Sequence, residues 1–264
     1  MEWTGSPELV VSIKSALAGN SSIAIGSVVG SNISNTALIL GVAALIYPLK
    51  AEAQVVRREI PLMILITAIL WLLIADGELG RIDGVILLTG SVLYTFLVYF
   101  LAQKDKNKHV SEEFEEALDK PTANAVLDIL LLVGGVGLLV LGANLLVNGA
   151  VAVAKILEIS EVVIGLTIIA IGTSLPELAT SVVASYRKET DLALGNAIGS
   201  NIMNILCVLG ATAIIAPISA GEIRFLDMAV MLGIAVFLWA LLGYRYVLDR
   251  LEGAILVICY IIYI

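Results

Sequence analysis

The stretch Gly26–Asn35, GSVVGSNISN, returns at Gly195–Asn204 as GNAIGSNIMN, 169 positions on. The offset holds well beyond the motif. Pro7-Glu8-Leu9 falls on Pro176-Glu177-Leu178, Ser12 on Ser181, Gly41 on Gly210 and Pro48 on Pro217, all without a gap. A gapless match of this length makes the chain two copies of one unit, and any fold must accommodate both.

The unit belongs in a membrane. Hydrophobic residues make up 59% of the chain and charged ones 14%, against roughly 45–50% and about 25% in soluble domains. Apolar runs cover 23–47, 61–75, 83–101, 125–154, 162–186, 192–216, 226–243 and 251–264, and a shorter piece lies near 4–18. Runs of about 20 residues cross a bilayer as helices, and 61–75 is short by that measure. Lipid leaves no partner for unpaired backbone groups, and the runs are too long for barrel strands. The expected fold is therefore all-α and polytopic, with about nine transmembrane segments. An odd number of spans separates corresponding helices, so the copies cross in opposite directions: inverted-topology repeats, a mark of secondary transporters.

Alternating spans collect Lys50, Arg57, Arg58, Lys104, Lys106, Lys108, Lys120, Arg187, Lys188, Arg245 and Arg250 on one side, leaving Arg81, Lys155 and Arg224 on the other. The positive-inside rule puts the richer side in the cytoplasm of a multi-pass cell-membrane protein. The expected division is a first repeat at 1–102, a cytoplasmic linker at 103–124 and a second repeat at 125–264. His109 and the glutamates 112, 113, 115 and 116 are read as solvated linker residues, and Cys207 and Cys259 as small residues within helices. No nucleic-acid partner is expected; the lipid bilayer is.

The polar residues inside the apolar runs carry the chemistry. A charged residue mid-membrane costs at least about 2.5–3.5 kcal/mol on insertion scales, so Glu177 in IGTSLPELATS calls for a cation, a proton or a partner. Pro176 lacks an N–H and opens the helix near the Gly172 and Thr173 carbonyls, where Thr173 and Ser174 add hydroxyls. The first copy places Thr4, Pro7 and Glu8 likewise. Ser31 with Asn35, and Ser200 with Asn204, are four apart and share a helix face, from which they can reach the carboxylates. These are hard oxygen donors, the kind that Na⁺ and Ca²⁺ prefer. Asn32 and Asn201 point off that face and are read, like Asn144 and Asn148, as glue between helices. Gly26 with Gly30, and Gly195 with Gly199, form small faces for close helix approach.

At these motifs the chain resembles the calcium/cation antiporter superfamily, and within it the prokaryotic sodium/calcium exchangers. The resemblance rests on TGSPEL with GSVVGSNISN and on GTSLPEL with GNAIGSNIMN. It implies two inverted five-helix repeats, alternating-access exchange of Na⁺ or H⁺ for Ca²⁺ or a related cation, and no enzymatic activity. By resemblance the ligands are Thr4, Glu8, Ser31, Asn35, Thr173, Ser174, Glu177, Ser200 and Asn204, with the Ala170 carbonyl beside them. Relatives can carry aspartate where Asn204 stands. Gly5 stands where Ser174 has its hydroxyl, and the family plan has a further helix before residue 1, so a weakened first half-site and poor transport by this polypeptide are expected. A proton-coupled exchanger is the runner-up; a cation channel or an inactive fragment are the remaining alternatives. No phosphate-binding glycine loop favours an ATP-driven pump.

Overall fold

A computed structural model describes residues 5–104, 160–221 and 223–264, with scattered positions between 134 and 158. Thr4, His109, the linker glutamates, Asn144, most of the expected span at 125–154 and all of the linker past residue 104 lie outside the described residues. Helix α1 is Ser6–Leu17. Next come α2 (Ser21–Ile46), α3 (Val55–Asp76) and α4 (Arg81–Phe100). The second half holds α5 (Val162–Thr173) and α6 (Leu175–Arg187), a pair bent by 47°, then α7 (Thr190–Ile215) and α8 (Phe225–Arg245). Helix α9 is Arg250–Tyr263.

Among the described residues, five helices are long and apolar enough to cross a membrane, and the α5–α6 pair makes a sixth, broken span. This is a multi-pass helical membrane protein. The run at 61–75, expected to be short, belongs to a 22-residue helix. A π-helical start at Val55–Glu59 carries the helix through Arg57 and Arg58, whose side chains are exposed. An apolar window cannot register that charged turn.

The all-α expectation omits four two-residue strands: β1 (Leu49–Lys50), β2 (Glu78–Leu79), β3 (Ile218–Ser219) and β4 (Val247–Leu248). They show the symmetry most directly. β1 pairs antiparallel with β4, Leu49 facing Leu248 and Lys50 facing Val247. β2 pairs with β3, Leu79 facing Ile218 and Glu78 facing Ser219. The sequence offset carries β1 onto β3 and β2 onto β4, so it turns the first ladder into the second, register included. A relation that exchanges the copies while preserving their contacts is a two-fold one. Because membrane-long α3 separates β1 from β2, the ladders sit at opposite ends of the molecule. The repeats are inverted.

Glycines repeat the pattern inside the bundle. A Cβ on Gly41 would lie 2.8 Å from the Gly253 carbonyl oxygen, and one on Gly84 would lie 2.8 Å from that of Gly210. The offset exchanges these two pairs, so α2 crosses α9 just as α7 crosses α4, backbone against backbone. The 26-residue helices α2 and α7 form the centre, their windows 78% and 72% buried, whereas α3, α4 and α8 are 28%, 22% and 39% buried. The outer helices turn Leu65, Leu72, Leu93, Phe96, Trp239 and other large apolar side chains outward, as lipid contact requires.

The charge islands follow the ends. Around the β1–β4 ladder, Arg57 Nε donates to the Tyr246 hydroxyl at 2.9 Å, Lys188 lies 5.7 Å over the Tyr47 ring, and Arg250 donates to the Ile46 carbonyl at 3.3 Å. Lys50 and Arg245 flank the same ladder, so Lys50, Arg57, Lys188, Arg245 and Arg250 of the group collected by alternation lie at one end; Lys106, Lys108 and Lys120 are outside the described residues. At the other end Asp227 is fully buried, accepting from the Arg224 N–H at 3.0 Å and from the Tyr263 hydroxyl at 3.1 Å.

Candidate ion-binding site

The site forms where α1, α2, the α5–α6 break and α7 meet. At the break, Ser174 leaves the helical region (φ −85°, ψ 7°), and Pro176 follows in the first turn of α6. Proline removes the N–H that would have bonded the Gly172 carbonyl, which is why the helix bends here rather than elsewhere. The first copy is built alike, with Gly5 before α1 and Pro7 in its first turn. In each copy a glutamate follows the proline, inside the bundle and near a helix N-terminus, where the helix dipole favours negative charge. Glu8 and Glu177 are each 1% exposed. Glu177, Thr173 and Ser174 are polar neighbours of the Glu8 carboxylate.

π-helical turns frame the site. They occupy Ser34–Ile39 in α2, Asn204–Leu209 in α7 and Gly165–Ile169 just before α5 reaches Ala170. A π turn inserts extra backbone into the α-helical ladder and turns later side chains to new directions; such turns recur at functional sites. Here Asn35 and Asn204 sit within or at the start of one.

Hydroxyls from both copies converge on one carbonyl. The Ser31 hydroxyl donates to the Ala170 carbonyl at 3.4 Å and lies 3.3 Å from the Thr173 hydroxyl, which donates to the same carbonyl at 3.3 Å. The Ser174 N–H also bonds that carbonyl, at 3.0 Å. Ala170 thus anchors two hydroxyls whose remaining lone pairs stay available. Ser200 is buried in the equivalent place; the counterparts of Ala170 and Thr173 by the offset are Met1 and Thr4, which lie outside the described residues.

Asparagines knit the copies at the centre. Asn35 Nδ2 donates to Asn201 Oδ1 and, in mirror image, Asn204 Nδ2 donates to Asn32 Oδ1, both at 3.1 Å. Asn32 Nδ2 donates to the Asn201 carbonyl at 3.2 Å. Asn201 Nδ2 approaches the Thr36 hydroxyl at 2.7 Å and the Met63 sulfur at 3.4 Å. Asn32 and Asn201 are therefore between-helix contacts, as expected of glue, but they also hold the two asparagines expected as ligands. Their signal lay in the duplication itself, which repeats them as faithfully as the serines beside them. Asn148 is exposed.

Three oxygens in this region are buried and have no hydrogen-bond partner: Glu8 Oε2, Asn35 Oδ1 and Asn204 Oδ1. A buried polar atom without a partner costs about 1–3 kcal/mol, more if charged, and native structures do not collect such atoms idly. Two adjacent buried carboxylates also repel. A desolvated cation relieves both penalties. Two carboxylates with neutral amide and hydroxyl oxygens give a hard donor set of low charge, suited to Na⁺ or Ca²⁺ rather than to a soft metal.

The glycine faces differ between copies. A Cβ on Gly30 would overlap the Leu166 carbonyl oxygen and lie 2.7 Å from Ala170 Cβ, and one on Gly26 would lie 3.1 Å from the Val162 carbonyl. Among the described residues, nothing lies within 4 Å of a Cβ placed on Gly195.

Comparison with known proteins accords with this geometry. A family profile described as "Sodium/calcium exchanger protein" matches residues 3–101 and 127–264, most of the chain. The chain belongs to the sodium/calcium exchanger family. This exchanger is 41% identical to the "Putative antiporter CaxA" of Alkalimonas amylolytica, over 98% of this chain and 83% of that protein. It is 31% identical to the "Sodium/calcium exchanger MaX1" of Methanosarcina acetivorans, over 99% of this chain and 84% of that one. A solved structure of the sodium-calcium exchanger NCX_Mj, soaked with Na⁺ and Sr²⁺, superposes with a TM-score of 0.71 at 31% identity, covering 98% of this chain and 81% of the other. Like these relatives, it is a cation antiporter and not an enzyme.

Proposed function

We propose that this exchanger moves Ca²⁺ against Na⁺ across the cell membrane by alternating access. Glu8, Ser31 and Asn35 of the first repeat, Thr173, Ser174, Glu177, Ser200 and Asn204 of the second, and Thr4 ahead of the described residues form the ion sites. The repeats are assigned to 1–102 and 125–264, and the linker at 103–124 to the cytoplasm. The observation that carries the reading is the set of buried, unbonded oxygens contributed by both repeats beside two carboxylates. Na⁺ and Ca²⁺ draw on the same oxygens, so occupancy by one excludes full coordination of the other, and the two fluxes couple by competition. A transported ion shifts the inward–outward equilibrium only by its differential affinity for the two states. MaX1 and NCX_Mj are sodium/calcium exchangers by name, which supports sodium as the counter-ion.

Adjacent buried carboxylates also suit proton carriage, which makes H⁺ the second counter-ion to test. Purified protein in liposomes loaded with Na⁺ is expected to accumulate ⁴⁵Ca²⁺ down an imposed Na⁺ gradient. A pH gradient of equal driving force, with Na⁺ absent, is expected to drive little. Uptake driven by the pH gradient alone would assign the coupling to protons instead.

Substituting Asn204→Asp adds a third carboxylate to the site. The expected outcome is a lower apparent KM for Ca²⁺ and a changed Na⁺ dependence of uptake, measured as initial rates over a Ca²⁺ series. An unaltered KM would place Asn204 outside the coordination sphere.

A further inference from the structure

We propose that Asn32 and Asn201, neither of which faces the ion, are positioning residues that hold the ligand amides of Asn35 and Asn204 with oxygen toward the cation. The inference rests on the ion site proposed above and adds a role for two residues outside it.

An asparagine side chain is nearly symmetric in shape and opposite in charge at its two ends. Turned one way it offers a cation an acceptor oxygen; turned the other, two N–H donors that repel it. Something must choose, and here the choice is forced by a chain of bonds. The Thr36 hydroxyl spends its proton on the Asn32 carbonyl at 2.9 Å, so toward Asn201 it can only accept. Asn201 must then present Nδ2 to Thr36, and the same nitrogen reaches the Met63 sulfur, a weak acceptor. Asn201 Oδ1 is thereby turned to Asn35, which has to answer with Nδ2. Asn35 Oδ1 is left facing away, buried and unbonded.

The other half reaches the same result by a shorter route. Asn32 Nδ2 is committed to the backbone carbonyl of Asn201, an atom that never donates. Asn32 Oδ1 therefore accepts from Asn204 Nδ2, and Asn204 Oδ1 is the buried, unbonded end. Position 205, the counterpart of Thr36, is Ile205 and has no hydroxyl, so the backbone carbonyl takes over its part. Each ligand amide is thus set by a residue of the opposite repeat. Asn32 and Asn201 are 3% and 2% exposed, which keeps solvent from competing for these bonds.

Outer residues of this kind are typically worth about 10–100-fold in metal affinity. The test exploits a difference between amide and carboxylate: aspartate presents oxygen whichever way it turns and needs no orienting partner. Apparent KM for Ca²⁺ and maximal rate are measured in proteoliposomes for wild type, Asn201→Ala, Asn35→Asp and the double variant. Asn201→Ala is expected to raise KM about 10-fold or more with a smaller change in maximal rate, and to change it less than about threefold in the Asn35→Asp background. The mirror cycle, Asn32→Ala with Asn204→Asp, is expected to behave alike and serves if the first background does not transport. An equal KM increase in amide and aspartate backgrounds would mean that the asparagines merely pack, and would overturn the proposal, as would an unchanged KM in Asn201→Ala. Glu177→Gln, run in parallel, separates failure of this inference from failure of the ion site: uptake insensitive to Glu177→Gln refutes the site, whereas additive cycles with a sensitive Glu177 refute only the positioning role.

Discussion

Glu177→Gln is expected to abolish Na⁺-driven ⁴⁵Ca²⁺ uptake in proteoliposomes while the protein remains folded. The substitution keeps the shape of the side chain and removes one of the two carboxylates that draw a divalent ion into the bundle. Deleting one partner of a buried charge contact costs about 2–5 kcal/mol, so the apparent Ca²⁺ affinity should fall roughly 100-fold or more. Folding is spared for a physical reason: neutral glutamine at a position 1% exposed is cheaper to bury than an ionised glutamate. Retained monodispersity in detergent with lost uptake is the expected pair of observations. Uptake within twofold of wild type would remove Glu177 from the site, and by the two-fold relation would remove Glu8 with it.

The second large effect concerns shape. Gly30→Ala is expected to destabilise the protein, because the new methyl group would occupy the place of the Leu166 carbonyl oxygen and press on Ala170. The obstruction is backbone, which has no rotamer to yield. Overpacking typically costs about 1–3 kcal/mol, and contact with backbone belongs at the upper end. The midpoint of thermal aggregation in detergent should drop by on the order of 5–10 °C. Any protein that survives should transport poorly, since the displaced segment carries Ala170 and leads to Thr173. Gly195→Ala is the control. It alters the same motif in the second copy, at the counterpart of Gly26 rather than of Gly30, where the described residues leave space, and should shift the midpoint by no more than about 2 °C. Equal losses from the two substitutions would contradict the packing described for α2 against α5.

Why these effects were only partly foreseeable lies in how the information is written. The duplication was legible because glycine, proline, serine and asparagine keep their identities at a fixed offset, and an odd number of spans between copies gives inversion by counting. The proline-glutamate pairs stood out because a carboxylate in an apolar run needs a reason. What escaped were features made by two segments at once. The helical period places Asn32 about 100° from Ser31, off the expected ligand face. It matters because α2 and α7 cross closely enough for one helix's asparagine to reach the other's. The π turns at Ser34–Ile39 and Asn204–Leu209 add to this, since they break the period from which faces are read. The short strands are likewise invisible: two residues carry no alternation, and their partners lie in the other copy.

Those strands bear on how the chain is made. During synthesis at the membrane, Leu49 and Lys50 emerge long before their partners Leu248 and Val247. Glu78 and Leu79 must similarly wait for Ser219 and Ile218. Neither ladder can form within one half, so β1 stays unpaired and α2 uncrossed by α9 until β4 and α9 have followed into the bilayer. The β2–β3 ladder, the Gly84–Gly210 crossing and the asparagine cluster can form once α7 and β3 have emerged, and the β1–β4 ladder and the Gly41–Gly253 crossing close the bundle after them. A chain that stops before β4 therefore leaves β1 without its strand partner and the Gly41 face of α2 without the helix that covers it.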